Sequence, residues 1–185
     1  MAIIDGILSQ AKSTASSHYN QRPNPEDISL LVIHNISLPP GDFNGQFVEQ
    51  FFCGKLDFAS HPSFADLENL KVSSHLFIRR DGELIQFVNL NDRAWHAGVS
   101  EFEGRENCND YSIGIELEGT DFEAFTELQY KKLSQVTLEI MHNYPKITNH
   151  RICGHSDIAR GRKTDPGPFF DWGYYRKLMN AGLPA

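Results

Sequence analysis

His155 and Asp165 stand ten positions apart near the end of the chain, in Gly154-His155-Ser156-Asp157 and Lys163-Thr164-Asp165-Pro166-Gly167-Pro168. Lys163 lies two residues before the aspartate. Taken alone, this stretch also fits an ordinary turn, because Asp-Pro-Gly favours turns whatever the chemistry. It gains meaning beside His34, which follows the apolar run Leu30-Leu31-Val32-Ile33. Two imidazoles and one carboxylate suffice for a catalytic zinc, with the fourth position left for water. Pro166 pushes residue 165 away from the helical region, which suits a carboxylate that must be held still. Cys153 is a further ligand by type. In an extended segment, however, it would face the same way as His155 with little room for both to chelate, and it reads as a small buried hydrophobe.

Such a metal site needs a base for its water. Ser112-Ile113-Gly114-Ile115-Glu116-Leu117-Glu118-Gly119 alternates, with Ile113, Ile115 and Leu117 on one face and Gly114, Glu116 and Glu118 on the other. If that second face meets solvent, Glu116 is an ordinary surface residue. If it lines a cleft, burial raises the carboxyl pKa toward neutrality, as a general base requires. Gly114 is read as leaving open space beside Glu116, which favours the cleft. Lys163 belongs to the charged run Arg160-Gly161-Arg162-Lys163, the composition of a solvated loop. Its closeness to Asp165 in sequence also suits the stabilisation of an oxyanion.

The elements that must position these residues follow from pattern. Leu30 to Ile33 reads as a strand buried on both faces. Phe47, Phe51 and Phe52 point to a short helix before His61-Pro62. Ser74 to Ile78 and Leu84 to Val88 flank Asp81-Gly82, a hairpin signal. Ser112 to Glu118 is a strand, and Thr126-x-x-Gln129 is a capping box opening a helix that runs through Tyr130, Leu133, Val136 or Thr137, and Ile140. Arg151 to Cys153 is a short strand, His155 opens a polar loop, and Asp171 caps a last helix through Leu178. Residues 13–28 form a polar lead-in. The fold class expected is mixed α/β, a central mixed sheet flanked by helices, in one domain over 1–185.

Composition narrows the functions available. The chain has 185 residues and a formal charge of -7, from 17 basic and 24 acidic residues. Such acidity disfavours non-specific nucleic-acid binding, which relies on Lys and Arg neutralising phosphates, and docking on anionic membranes. Three cysteines (Cys53, Cys108 and Cys153) without a CxxC pair fit reduced thiols in a cytosol better than a disulfide scaffold. The start, Met1-Ala2-Ile3-Ile4-Asp5-Gly6, lacks the basic and long apolar regions of an export signal. No apolar run approaches a membrane span. A cytoplasmic location is therefore expected.

Several ordered motifs now add up. They are His34-Asn35-Ile36-Ser37-Leu38-Pro39-Pro40-Gly41, Ser74-His75-Leu76-Phe77-Ile78-Arg79-Arg80-Asp81-Gly82, Ala94-Trp95-His96-Ala97-Gly98-Val99-Ser100, Asn109-Asp110, Ser112 to Thr120, and Gly154-His155 through Pro168. With these the chain resembles the type-2 N-acetylmuramoyl-L-alanine amidases over nearly its whole length, and among them the cytosolic branch that acts on 1,6-anhydro-muropeptides. The resemblance implies a fold shared with peptidoglycan-recognition proteins. It implies one zinc ion on His34, His155 and Asp165, Glu116 as acid/base and Lys163 as charge stabiliser. Asn35 is implied as a substrate contact, and Trp95 and His96 belong to the family's Trp-His-Ala-Gly segment, where turn packing is the competing reading. Lys71 and Arg105 are the basic residues implied to meet an acidic peptide stem, Lys71 being a lysine where the family pattern has an arginine. The reaction implied is hydrolysis of the amide joining the lactyl group of (1,6-anhydro-)N-acetylmuramic acid to L-alanine, in cell-wall recycling. The partner is a small soluble muropeptide, with no nucleic acid, membrane or obligate protein partner.

Three rival readings stay in view. A binding module on the same fold would hold muropeptides uncut, but would be expected to lack a ligand or the acid/base. A lytic amidase would act on the polymeric wall. A cysteine hydrolase would use Cys108 or Cys153 with a histidine.

Overall fold

A computed structural model describes residues 1–182. Its centre is a six-stranded mixed sheet. The strands are β1 (Lys12–Ser13), β2 (Leu30–Ile36), β3 (Leu76–Ile78), β4 (Leu84–Gln86), β5 (Ser112–Glu118) and β6 (Ile152–Gly154). Their spatial order is β6-β2-β5-β3-β4-β1. The pairings β6–β2, β2–β5, β5–β3 and β4–β1 are parallel, and only β3–β4 is antiparallel. Parallel strands are covered on both faces and read as near-continuous apolar runs. Leu30 to Ile33 follows that rule, whereas β5 is buried throughout but alternates, with Ser112, Glu116 and Glu118 among its buried residues.

Alternation along the strands separates two jobs. Leu31, Ile33, Ile113, Ile115 and Leu117 pack on one face against Leu133, Val136 and Ile140 of α2 (Glu127–Asn143, counting helices from the one at Phe47–Phe52, α1). Tyr175 and Met179 of the last helix, α4 (Trp172–Gly182), join them. Burying a large apolar side chain of this kind contributes about 1.5–3 kcal/mol, so this face anchors the sheet. The expected capping box opens α2, with the Thr126 hydroxyl accepting from Gln129 N–H and the Gln129 side chain returning to Thr126 N–H.

The opposite face carries Leu30, Val32 and His34 from β2, and Ser112, Gly114 and Glu116 from β5. In the parallel register Glu116 sits beside His34. Leu30 and Val32 pack with Ala97, Cys108, Tyr111, Cys153 and Ile158, while Phe51, Phe52, Phe77 and Phe87 form a separate aromatic cluster beside them. The lead-in read as polar carries β1 and a short ribbon, Tyr19–Asn20 paired with Arg93–Ala94.

Two expectations need correction. His155 does not open a loop. It begins a one-turn helix, α3 (His155–Ile158), because the Asp157 carboxylate accepts from Gly154 N–H at 2.8 Å and caps the turn. The alternation used to compare Cys153 with His155 therefore stops at Gly154, although Cys153 is buried as expected. The last helix also runs past Leu178 to Gly182, with Asp171 Oδ1 accepting from Tyr174 N–H at 2.8 Å.

Candidate active site

Three of the parallel strands deliver their chemistry at or just beyond their carboxyl ends, the usual place for a site in such sheets. His34 is near the end of β2, Glu116 near the end of β5, and His155 directly after β6. Asp165 arrives on the following loop, held where Ser156 N–H donates to the Asp165 carbonyl at 2.9 Å. Its carboxylate Oδ2 lies 3.0 Å from His34 Nδ1 and 3.0 Å from His155 Nδ1. One donor atom from each of His34, His155 and Asp165 lies within 4.8 Å of the others, a group that could hold a metal ion. His34 and His155 are buried and Asp165 is partly so.

The donors fit a cation for a specific reason. His155 Nε2 faces the carbonyl oxygen of Ala97 at 3.0 Å. A carbonyl only accepts, so Nε2 carries a proton, and Nδ1 is the nitrogen turned toward the Asp165 carboxylate. A metal ligand needs Nδ1 bare, and with its proton on Nε2 the ring can present that lone pair at the focus. A metal ion there would take two imidazole nitrogens and one carboxylate oxygen, a borderline-to-hard N/O set that suits zinc. Burial first, with the nearby His155 charge adding, lowers the His34 pKa to about 4 against the lift from Asp165. Its imidazole is therefore neutral, as a metal ligand must be.

Glu116 Oε1 is 4.0 Å from His34 Nδ1. Its Oε2 is buried without any hydrogen-bond partner, one of three such side-chain atoms among the described residues. Burial, then the Asp165 charge, push the Glu116 pKa well above the usual carboxylate range, with Lys163 opposing them. The open space expected beside Gly114 is not there. A Cβ on Gly114 would meet the His96 ring at 2.6 Å, so the glycine makes room for an imidazole.

A cavity of about 260 Å³ connects these groups. His34, Asn35, His96, Glu116, His155, Lys163 and Asp165 supply its polar side. Leu38, Phe51, Phe52, Leu67, Leu70 and Val72 form an apolar wall that sequence reading did not assign to the site. The expected contacts thus part company. Asn35, His96 and Lys163 line the cavity. Trp95 does not: its ring stacks on His18 and its Nε1–H donates to Asn20 Oδ1 at 2.6 Å. Lys71 is exposed between the lining residues Leu70 and Val72. Arg105 lies outside the lining, paired with Asp27 at 2.6 Å and stacked over Tyr111. Asp121, unmarked in the sequence, accepts from Asn35 Nδ2 at 2.8 Å. That bond commits the amide nitrogen of Asn35 and leaves its carbonyl oxygen as the free acceptor.

The titration of these buried groups sets a stability profile for the metal-free protein. Burial also lowers His75, to about 3, and lowers His96 well below the ordinary value of 6.5. Below pH 6.5 the unfolded chain takes up three protons, on His34, His75 and His96, that the native state refuses. Above pH 4.5 the native state keeps one, on Glu116, that the unfolded chain gives up. Between these values the unfolded state binds a net two more, so stability falls as pH falls. The Glu116 proton acts with the opposite sign, lowering stability as pH rises through its raised folded pKa. Each unmatched proton changes stability by about 1.4 kcal/mol per pH unit. Urea midpoints of the metal-free protein are expected to fall as pH drops below 6.5, and a midpoint that stays level from pH 6.5 to 5 would show the buried histidines protonated in the fold.

Sheet, cavity and donor set together describe a cleft with a group able to hold a metal ion and an acidic side chain beside it. The N-acetylmuramoyl-L-alanine amidase family model matches residues 24–168, and the chain belongs to that family. It is 56% identical over 170 residues, 92% of either chain, to the 1,6-anhydro-N-acetylmuramyl-L-alanine amidase AmpD of Haemophilus influenzae. A crystal structure of a selenomethionine AmpD derivative superimposes with a TM-score of 0.94 at 52% identity, covering 97% of this chain and 99% of that one. A complex of the Escherichia coli amidase AmiD with anhydro-N-acetylmuramic acid-L-Ala-D-gamma-Glu-L-Lys is similar at a TM-score of 0.61 and 31% identity, covering 86% of this chain and 59% of that one.

Proposed function

We propose that this chain hydrolyses the amide between the lactyl group of 1,6-anhydro-N-acetylmuramic acid and L-alanine in soluble muropeptides, in peptidoglycan recycling, with one zinc ion on His34, His155 and Asp165. The observation that carries the reading is the meeting of those three donors beside the unpartnered carboxyl of Glu116. The identity to AmpD over nearly the full chain supports the substrate class. Zinc, when bound there, would lower the pKa of water from 15.7 toward about 7 and polarise the scissile carbonyl.

The chain's own groups account for the rest. Glu116 accepts the proton of the attacking water and returns it to the alanine nitrogen as the C–N bond breaks. Lys163, on the cavity lining, sets its ammonium near the carbonyl oxygen that gains charge. Asn35, its amide nitrogen fixed by Asp121, offers its carbonyl oxygen to a substrate N–H. The apolar wall from Leu38 to Val72 limits water at the reacting bond. Lys71, flanked by lining residues, is placed to meet the acidic peptide stem.

The cysteine reading loses its footing. Cys53, Cys108 and Cys153 are all free and buried, and burial raises the Cys153 thiol far from a reactive thiolate. Among the described residues no helix is long and apolar enough to cross a membrane. Mass spectrometry of digests is the test. Release of the peptide from soluble anhydro-muropeptides, abolished by a chelator and untouched by iodoacetamide, is the expected result. Preferential attack on intact sacculi would assign the chain to wall lysis, and release that survives chelation would remove the metal from the reaction.

A further inference from the structure

The His34 ring has two nitrogens, and only one of them faces Asp165. The other, Nε2, lies 2.9 Å from His96 Nδ1. His96 Nε2 in turn lies 3.1 Å from the Ser112 hydroxyl. All three side chains are buried, so their protons must be placed consistently. If His34 Nδ1 is a bare donor to a metal, Nε2 carries the proton and gives it to His96 Nδ1. His96 then carries its own proton on Nε2 and gives it to Ser112 Oγ, which can accept. The row closes without a clash. The His155 ring meets the same arrangement one residue along, with Nε2–H donating to the Ala97 carbonyl. The backbone N–H groups of His96 and Ala97 both donate to Asn109 Oδ1, at 3.1 and 2.8 Å, and the glycine at 114 is what lets the His96 ring sit against β5.

We infer that His96 is a positioning residue for the metal centre rather than a substrate contact: it accepts the His34 Nε2–H, passes the constraint to Ser112, and so holds His34 Nδ1 toward the metal position, as the Ala97 carbonyl does for His155. Partners of this kind fix ring orientation and tautomer and raise ligand basicity, and their loss typically weakens metal binding by about 10- to 100-fold. The inference rests on the metal reading above, and the two fail differently.

Zinc dissociation constants by competition with a chromophoric chelator test it, on wild type and on His96→Ala, His96→Asn and Ser112→Ala. The Asn side chain puts its carbonyl oxygen near the place of the imidazole Nδ1 and can accept the same proton. Expected are zinc binding weakened on the order of 10- to 100-fold in His96→Ala, recovery of most of it in His96→Asn, and a smaller loss in Ser112→Ala. Long-range ¹H–¹⁵N spectra of the zinc-loaded protein are expected to show His34 in the Nε2–H tautomer. Should His96→Ala not fold, Ser112→Ala and the His34 tautomer decide the question alone. An unchanged zinc constant in a folded His96→Ala, or a His34 ring protonated on Nδ1, overturns the inference. A wild-type protein that binds no zinc overturns the metal reading instead.

Discussion

Asp165→Ala is expected to leave a folded protein that no longer holds zinc. The carboxylate is the one anionic member of the donor set, and both histidine Nδ1 atoms converge on its Oδ2 at 3.0 Å. Removing it leaves two neutral imidazoles. The loss in affinity should exceed the roughly 10- to 100-fold typical of second-shell changes, so elemental analysis after dialysis is expected to find little metal, and peptide release should fall to background. The fold itself should tolerate the change. Asp165 sits on a loop held through its backbone by Ser156, outside the sheet and helices that form the core. Against the upward push of burial, hydrogen bonds to His155 and His34 hold the Asp165 carboxyl well below the usual carboxylate range, so the metal-free variant is expected to stay folded at a lower urea midpoint than wild type. The distinguishing measurement is the zinc-induced rise in midpoint. Wild type should gain stability with added zinc, because a ligand that binds only the native state stabilises it. The variant should not. Full zinc occupancy in Asp165→Ala would end its assignment as a ligand.

The frame that carries these residues was legible because burial leaves strong marks. The Leu30–Ile33 run, the alternation from Ser112 to Glu118 and the Thr126/Gln129 box each impose one local structure, and each appears where expected. The metal candidates were legible by residue type and by the family resemblance. What could not be read was how side chains share space across elements distant in sequence. Gly114 shows this well. Its missing side chain was visible, but that the vacancy is taken by His96 depends on a loop clipped by Asn109. Asp121 is a similar case, because its bond to Asn35 spans 86 positions. Glu118 shares the Glu116 face in the alternation, yet its carboxylate is spent on Asn44 N–H, Arg80 N–H and Arg79. Two glutamates two residues apart thus have opposite fates, one fully bonded and one with a bare oxygen. Pattern alone gave them the same description. Arg105 parts from the cavity for a related reason: a guanidinium has long reach, and this one finds Asp27 and the Tyr111 ring first.

That bare oxygen makes Glu116→Gln the sharpest test of the chemistry. Gln keeps the shape and burial of the side chain but cannot take a proton. Peptide release is expected to fall by about 10²–10⁴-fold, the usual contribution of a positioned acid/base, with zinc content unchanged because Glu116 is not in the donor set. The pH dependence should change with it. Glu116 acts only when ionised, and burial with the Asp165 charge holds its pKa up, while a bound cation and Lys163 pull it down. The wild-type rate should therefore rise with pH through the Glu116 ionisation, and the residual rate of the variant should lose that limb. Stability supplies an independent check with the opposite sign. In the metal-free wild type the raised Glu116 pKa makes stability fall as pH rises through it, and Gln has no proton to lose, so the variant should lack that decline. A variant that keeps both the acid limb of the rate and the alkaline decline in stability would show that another group carries the proton.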